Sequence, residues 1–292
     1  MKKAQWIVAA TAVLLTIGLY ALTQNAVFGH NPKKPSATTT ANAAADSHEG
    51  HDHGEGVIID TILFHAKEAL SPQQLTRINF LESSITRGDV TEQKTHVFHQ
   101  LAKFWKDTAH IFEPFAWYTA EAARLENSEK SLTFAAHLFL NNLKSEGNPQ
   151  LKDWKMHQAQ DLFERSLRIN PANDSSKVGL GATILFGGTE APMDGISKIR
   201  EVVERDSLNV YAQITLGQAS MISGQLDKAI ERFEKVAKLQ PNNLEAYISL
   251  ADVYERKGEK QKAIEWYKRS LPLIEIEGLK KEVDKRINEL SK

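Results

Sequence analysis

Apolar residues along most of the chain recur with the three- and four-residue spacing of amphipathic helices. In GQLDKAIERFEKVAKLQPNN, residues 224–243, the apolar positions are Leu226, Ile230, Phe233 and Ala237. Gly224 precedes this helix and Pro241 follows it, so both of its ends carry residues that interrupt helices. Similar segments follow one another beyond Gly56, and no run of strand alternation is convincing. The pattern predicts an all-α fold after residue 56.

Several helix starts carry signals for their first residues. Ser71 is a candidate N-cap, because Pro72 follows it and Gln74 stands three residues after it, as in a capping box. Asn148-Pro149 is a similar start for a long helix that is expected to end near Ile169. Other starts are expected at Asp89–Glu92, Glu113-Pro114 and Asn127-Ser128. Residues 57–158 are therefore interpreted as a region of degenerate helical hairpins.

The helix within residues 224–243 has counterparts elsewhere in the chain. A shift of 34 residues places Gly224, Ala229, Ile230 and Phe233 on Gly258, Ala263, Ile264 and Tyr267. AQDLFERSLRINPAN (159–173) and GISKIREVVERDSLN (195–209) align with the same helix at offsets of 70 and 34 residues. Each of these helices follows another helix. A fixed period near 34 residues with two helices per unit indicates a solenoid.

Two of these units carry the pattern of a known repeat family. The unit from Val210 has Leu216, Gly217, Gly224, Ala229, Phe233 and Pro241, and the unit from Leu244 has Tyr247, Leu250, Ala251, Tyr254, Gly258, Ala263 and Tyr267. This pattern resembles the tetratricopeptide repeat (TPR) family, specifically over residues 159–277 and only in helix length over 58–158. The resemblance implies a right-handed superhelical solenoid of antiparallel helix hairpins. Small residues such as Gly217 would let the paired helices approach closely.

The last helices depart from the repeat pattern. Pro272 is expected to end the second helix of the last unit early. The segment that follows places Leu279, Val283, Ile287 and Leu290 on one stripe, with many charges opposite. Residues 278–292 are therefore predicted to form a C-terminal capping helix over the last repeat.

The N-terminus resembles an export signal. Lys2 and Lys3 precede an uncharged, mostly apolar run from Trp6 to Leu22. Within residues 1–24 we expect an uncleaved, single-pass transmembrane signal anchor of a bacterial cytoplasmic (inner) membrane, with the C-terminal part in the periplasm. The alternatives are a cleaved export signal and a buried helix.

Residues 25–56 contain almost no large apolar side chain, so they are predicted to be a disordered tether. Within this tether, HEGHDHGEG contains His48, His51 and His53 beside acidic residues. Imidazoles and carboxylates at this density would bind a divalent metal weakly. The favoured interpretation is a solvated polar linker, and the alternative is a metal-buffering or metal-sensing segment.

Composition and motifs exclude several classes of function. Lys plus Arg number 36 against 37 acidic residues, so a nucleic-acid partner has no electrostatic support. Cysteine is absent, which excludes disulfides, thiolate zinc sites and a cysteine nucleophile. GLGATILFGG lacks the third glycine of a dinucleotide-binding turn and the lysine of a phosphate-binding loop, and no G-x-S-x-G elbow is present. His96 and His99 share a helix face without an evident carboxylate partner. We therefore expect no enzyme and no cofactor, and a weakly bound divalent metal belongs only to the alternative interpretation of the tether.

The TPR resemblance implies a protein partner, held in a concave groove that each unit's first helix lines. The family's groove positions correspond here to Val178, Ala182, Phe186, Tyr211, Ile214, Gln218, Ile222, Ile248, Asp252 and Arg256. Tyr211 is expected in the groove, whereas groove and core stay equally open for Ile214 and Ile222. The family branch that binds a peptide's C-terminal carboxylate needs Lys and Asn where this chain has Ile214 and Gln218.

Together these features predict a scaffold or chaperone-like adaptor that binds a peptide or helix of an envelope assembly. The alternative is a metal-handling envelope protein that uses the histidine-rich tether.

Overall fold

The computed structural model describes residues 59–87, 91–188 and 191–292. The predicted anchor (1–24), the predicted tether (25–56) and the candidate ligands His48, His51 and His53 lie outside these residues. All regular secondary structure in the described ranges is helical, which confirms the all-α prediction. None of the described helices is both long enough and apolar enough to cross a membrane.

Four helices and one π-helical turn come first along the described chain: α1 (Ile59–Glu68), α2 (Pro72–Arg87), α3 (Thr91–Phe104), the turn Trp105–Ala109 and α4 (Phe112–Glu126). The next four helices are α5 (Glu129–Leu143), α6 (Pro149–Ile169), α7 (Asp174–Gly187) and α8 (Pro192–Arg205). The last five are α9 (Val210–Ile222), α10 (Leu226–Leu239), α11 (Leu244–Arg256), α12 (Lys260–Ser270) and α13 (Glu277–Leu290).

Side-chain caps begin several of these helices, at Ser71 and Asn148 as the sequence indicates, whereas α4 begins at Phe112 without one. At α2, the Ser71 amide donates to Gln74 Oε1 over 2.8 Å, and the Gln74 amide donates to Ser71 Oγ over 3.3 Å. This reciprocal pair is the predicted capping box. Asn148 caps α6 by accepting from the amides of Gln150 and Leu151. Three further asparagines repeat the device at the starts of α7, α9 and α11, namely Asn173, Asn209 and Asn243.

The helices pair as antiparallel hairpins. α5 packs against α6, α7 against α8, α9 against α10, and α11 against α12. The first helices of successive hairpins also contact each other, from α5 to α7, from α7 to α9 and from α9 to α11. We call the surface that α5, α7, α9 and α11 share the first-helix face. The sequence motif begins to match at residue 159, which lies inside α6. Helix α5, the partner of α6 in its hairpin, therefore precedes the matched range.

Glycine permits the closest contact between paired helices. A Cβ atom added at Gly181 on α7 would lie 2.6 Å from the Gly195 carbonyl oxygen on α8. Real Cβ contacts are almost never that short, so these two helices depend on glycine at their crossing. The hairpin therefore brings backbone against backbone at this point.

The chain after α12 closes the last hairpin. α12 ends at Ser270, and Pro272 lies in a short 3₁₀ turn, Leu271–Leu273. Proline has no amide hydrogen to continue the helix, which accounts for the early end. On α13, Val283 and Ile287 are buried and Leu279 and Leu290 are half-buried against the hydrophobic cluster of α9–α12.

Candidate protein-binding face

The first-helix face does not expose every residue that the family pattern assigns to a groove. On α7, Val178 has no exposed surface and Ala182 is 1% exposed. Ile214 on α9 is also buried. α7 is covered by α5 on one side and α9 on the other, and α9 lies between α7 and α11. The groove assignment is therefore corrected for Val178, Ala182 and Ile214, which are core residues.

Tyr211 lies between core and surface. It is half-buried on α9 against the cluster that contains Val178 and Leu216, and its ring centroid is 5.6 Å from that of His137 on α5. Burial raises the pKa of the Tyr211 hydroxyl, and the Glu245 carboxylate adds to the rise. Tyr211 therefore bridges α5 and α9 and keeps only part of its surface exposed.

The remaining predicted positions are accessible. Phe186 on α7 and Gln218 on α9 are half-buried, and Ile222 is 66% exposed. On α11, Ile248 and Asp252 are half-buried and Arg256 is exposed. These six side chains follow one another along α7, α9 and α11, and each keeps some exposed surface.

Helix α5 contributes functional candidates that the sequence pattern missed. His137 Nε2 lies 2.9 Å from Ser175 Oγ on α7, and its ring packs edge-on against Phe163. Burial lowers the pKa of His137, and the positive charge of Lys144 lowers it further. Phe134, one turn before His137, is 58% exposed beside a cavity of about 540 Å³. Aromatic side chains therefore extend the face to α5.

Polar contacts join the four first helices across this face. The Lys144 ammonium at the end of α5 lies 4.8 Å from the centre of the Phe186 ring and donates to Gln218 Oε1 over 3.4 Å. Gln218 in turn donates through Nε2 to Glu245 on α11 over 2.8 Å. A lysine over an aromatic ring gains cation–π attraction. These contacts make the face one connected surface from α5 to α11.

A second cavity, of about 420 Å³, lies where α11 meets α13. The Tyr267 hydroxyl donates to Asp252 over 2.5 Å and to Glu255 over 3.3 Å. Glu255 also accepts from two nitrogens of Arg286 on α13. Burial raises the pKa of Asp252, although the hydrogen bond from Tyr267 opposes the rise. This end of the face combines an acidic group with apolar walls.

No group of three or more His, Asp or Glu side chains within the described ranges is arranged to hold a metal ion. His99 Nε2 is 2.6 Å from a Glu126 carboxylate oxygen, so it does have the acidic neighbour that its sequence context did not reveal. This exposed pair joins α3 to the end of α4 and lies outside the first-helix face.

Sequence comparison matches only part of the chain to a family. Residues 209–292, which are 84 of the 292 positions, match the family model of the regulator of microtubule dynamics proteins 1–3. A search of curated protein sequences gives no significant match.

Several solved structures are similar in backbone. PilW, a type IV pilus biogenesis factor, is 17% identical with a TM-score of 0.49, over 67% of this chain and 85% of PilW. MamA of Desulfovibrio magneticus RS-1 is 21% identical with a TM-score of 0.43, and the match covers 64% of this chain and 96% of MamA. YrrB, described as a TPR protein with an unusual peptide-binding site, is 17% identical with a TM-score of 0.40. The match covers 70% of this chain and 97% of YrrB. At this distance, none of them transfers a function to this chain.

The described helices themselves show the repeat. Four successive hairpins have contacting first helices, and the unit from Val210 places its motif residues Leu216, Ala229 and Phe233 in the core. The TPR resemblance is confirmed at the level of the fold, because the helices within residues 129–270 pair as successive antiparallel hairpins.

Proposed function

We propose that this chain is a non-enzymatic scaffold or chaperone-like adaptor that binds a peptide or helix of a protein partner on the first-helix face. One observation carries the proposal: four successive first helices form one connected surface on which Phe134 and Ile222 remain more than half exposed. Large exposed apolar side chains beside polar groups are typical of protein-interaction surfaces. Repeat proteins offer such extended surfaces because every unit adds one more helix to them.

Crosslinking from intact membranes tests this proposal. A photo-crosslinking amino acid at Ile222 on α9 is expected to capture a protein partner. The matched control is the same substitution at Glu231, an exposed position on α10, the second helix of the same hairpin. Equal capture from both positions, or capture from Glu231 alone, would place the partner elsewhere.

The location of the scaffold forms a separate part of the proposal. Residues 6–22 would anchor it in a bacterial inner membrane with the hairpins in the periplasm, next to an envelope assembly. The full chain should then stay with the membranes through a carbonate wash. A soluble mature protein that begins near Ala26 would show instead that the segment is a cleaved signal.

A second candidate function is metal handling through His48, His51 and His53. Three imidazoles within six residues, interspersed with acidic side chains, support this candidate. Deletion of residues 48–53 distinguishes the two functions. A scaffold loses no partner through this deletion, whereas a metal-handling protein loses zinc or copper tolerance.

A further inference from the structure

The cavity between α11 and α13 has two kinds of wall. Its apolar wall consists of Ile248 on α11 with Leu279 and Val283 on α13, and the ring of Tyr267 closes one side. Its polar lining includes Asp252 and Glu282, together with Lys285, Arg286 and Glu289. The volume of about 420 Å³ falls within the range of ligand-binding cavities.

The charges of this cavity are not balanced internally. Glu255 and Glu289 both hold the guanidinium of Arg286, so the positive charge of Arg286 is already matched. The Lys285 ammonium lies 3.9 Å from Glu289. Asp252 receives the Tyr267 hydroxyl, and within the described part of the chain no basic group comes within ion-pair distance of it. A half-buried carboxylate therefore faces the cavity without an ion-pair partner of its own, although Arg256 and Arg286 lie close enough to offset part of the rise in its pKa that burial causes.

The cavity borders the first-helix face, because Ile248 and Asp252 of α11 line it. Ile248 and Asp252 lie one turn apart on α11, and Ile248 lies one turn after Glu245, which accepts the hydrogen bond from Gln218. A segment bound across α9 and α11 would therefore pass the mouth of the cavity. α13 forms the far wall.

We propose that this cavity binds a lysine or arginine side chain of the protein partner, as an extension of the function proposed above. The aliphatic stem would pack against Ile248, Leu279 and Val283, as long basic side chains do along apolar surfaces. The ammonium or guanidinium would reach Asp252 and Glu282, where charge-assisted hydrogen bonds are strong. An acidic side chain would meet like charge there, and an apolar one would leave Asp252 desolvated without a counter-ion.

Model peptides test the proposal on the full chain. Blocked pentapeptides with a central lysine, arginine, norleucine or glutamate between alanines are titrated into protein labelled at the methyl groups. Saturable NMR shifts at Ile248, Leu279 and Val283 are expected with the lysine and arginine peptides. Asp252→Asn keeps an acceptor for Tyr267 but removes the charge, so it should weaken these peptides about tenfold or more. Asp284→Asn, on the exposed side of α13, is the matched control and should leave affinity unchanged.

Three results would overturn the proposal. The first is that the norleucine or glutamate peptide binds as tightly as the lysine peptide. The second is that the Asp252→Asn variant binds the lysine peptide as tightly as the unmodified chain does. The third is that putrescine gives the same shifts and affinity as the lysine peptide, which would identify a small amine rather than a partner side chain. Melting curves of both variants show whether the fold is kept.

The outcome is separable from that of the scaffold proposal. If Ile222 captures a partner equally well in the Asp252→Asn variant and the lysine peptide causes no shifts, the cavity proposal is wrong and the scaffold proposal stands. If the lysine peptide causes shifts but no partner is captured on the first-helix face, the cavity binds basic side chains and the scaffold proposal is wrong.

Discussion

At the scale of single residues, the spacing of the paired helices depends on the absence of a few side chains. A Cβ atom at Gly217 on α9 would lie 2.6 Å from Cε1 of Phe233 on α10. The Phe233 ring is fully buried among neighbours, so it has no space into which to retreat. The small residue that the repeat pattern requires here is therefore a requirement of packing.

Gly217→Ala is expected to lower the free energy of unfolding by about 1–3 kcal/mol, because overpacking outweighs alanine's better helix propensity. Gly278→Ala, in the first turn of α13, is the control, since nothing lies within 4 Å of its added Cβ. Its stability should be unchanged or higher by up to about 1 kcal/mol. Urea unfolding of both variants measures the difference. Wild-type stability for Gly217→Ala would show that the two helices move apart freely.

A buried lysine joins two carboxylates near the start of the repeats. Lys155 on α6 is 1% exposed, and its ammonium donates to Glu113 over 2.8 Å, to Asn142 over 2.6 Å and to Glu146. It also lies over the Phe112 ring. Burial alone would raise the pKa of Glu146, but hydrogen bonds from Lys155 and the Asn148 amide outweigh it and hold the pKa below its usual range.

This arrangement predicts a pH dependence of stability. A carboxyl whose pKa is lower in the folded state stabilises the protein above its unfolded pKa of about 4.3, and this stabilisation is lost as the pH falls through the folded pKa. Glu146→Gln should lower stability at pH 7 by about 1–3 kcal/mol and make the decline below about pH 4.3 shallower. Glu164→Gln, at an exposed position of α6, is the control. Urea unfolding from pH 7 to 3 measures both, and parallel curves for wild type and Glu146→Gln would contradict the role of Glu146.

At the scale of helices, the sequence predicts best where the repeat is regular. The helices α10 and α12 and the early end at Pro272 follow from the motif spacing and from proline chemistry. The start of α5 at Asn127-Ser128 is also predicted, but its place as the first helix of a hairpin is not. α6 spans 21 residues against 14 for α8, so the distance from α5 to α7 exceeds the repeat period. The burial of Ala182 could not be predicted either, since its cluster includes α5, which lies outside the matched range. Val178 is buried instead by α8 and α9, at a position where the family pattern expects an accessible side chain.

Helix α13 should be the least stable helix of the C-terminal hairpins. Only Val283 and Ile287 are buried on it, whereas α10 and α11 each bury a larger apolar surface between two neighbours. Ile287→Ala should therefore speed amide hydrogen exchange in α13 by more than tenfold, as a loss of about 2 kcal/mol implies, with little change in α5–α8. Asn288→Ala, next to it on the exposed side, should leave exchange unchanged. Equal acceleration in α5–α8 would show that α13 unfolds only with the whole stack.

At the scale of the whole described chain, the core is a series of clusters that only neighbouring helices share. Phe139 belongs to a cluster built from α4–α7, with contributions from α1. Phe233 belongs to a cluster built from α9–α13. A smaller cluster with Val178, Ile199 and Leu216 lies between them. Stability in such a stack is a sum of local hairpins and their interfaces.

This division predicts that core damage stays local. Phe139→Ala and Phe233→Ala remove fully buried rings of equal size, and each should cost about 3–5 kcal/mol of stability. Because the two clusters share no residue, Phe233→Ala should accelerate amide exchange most in α9–α12, and Phe139→Ala most in α5 and α6. Exchange measured peptide by peptide makes the comparison, and each variant is the control for the other. Uniform acceleration along the described chain in both variants would mean that the hairpins unfold as a single cooperative unit. The small middle cluster would then couple the two larger ones.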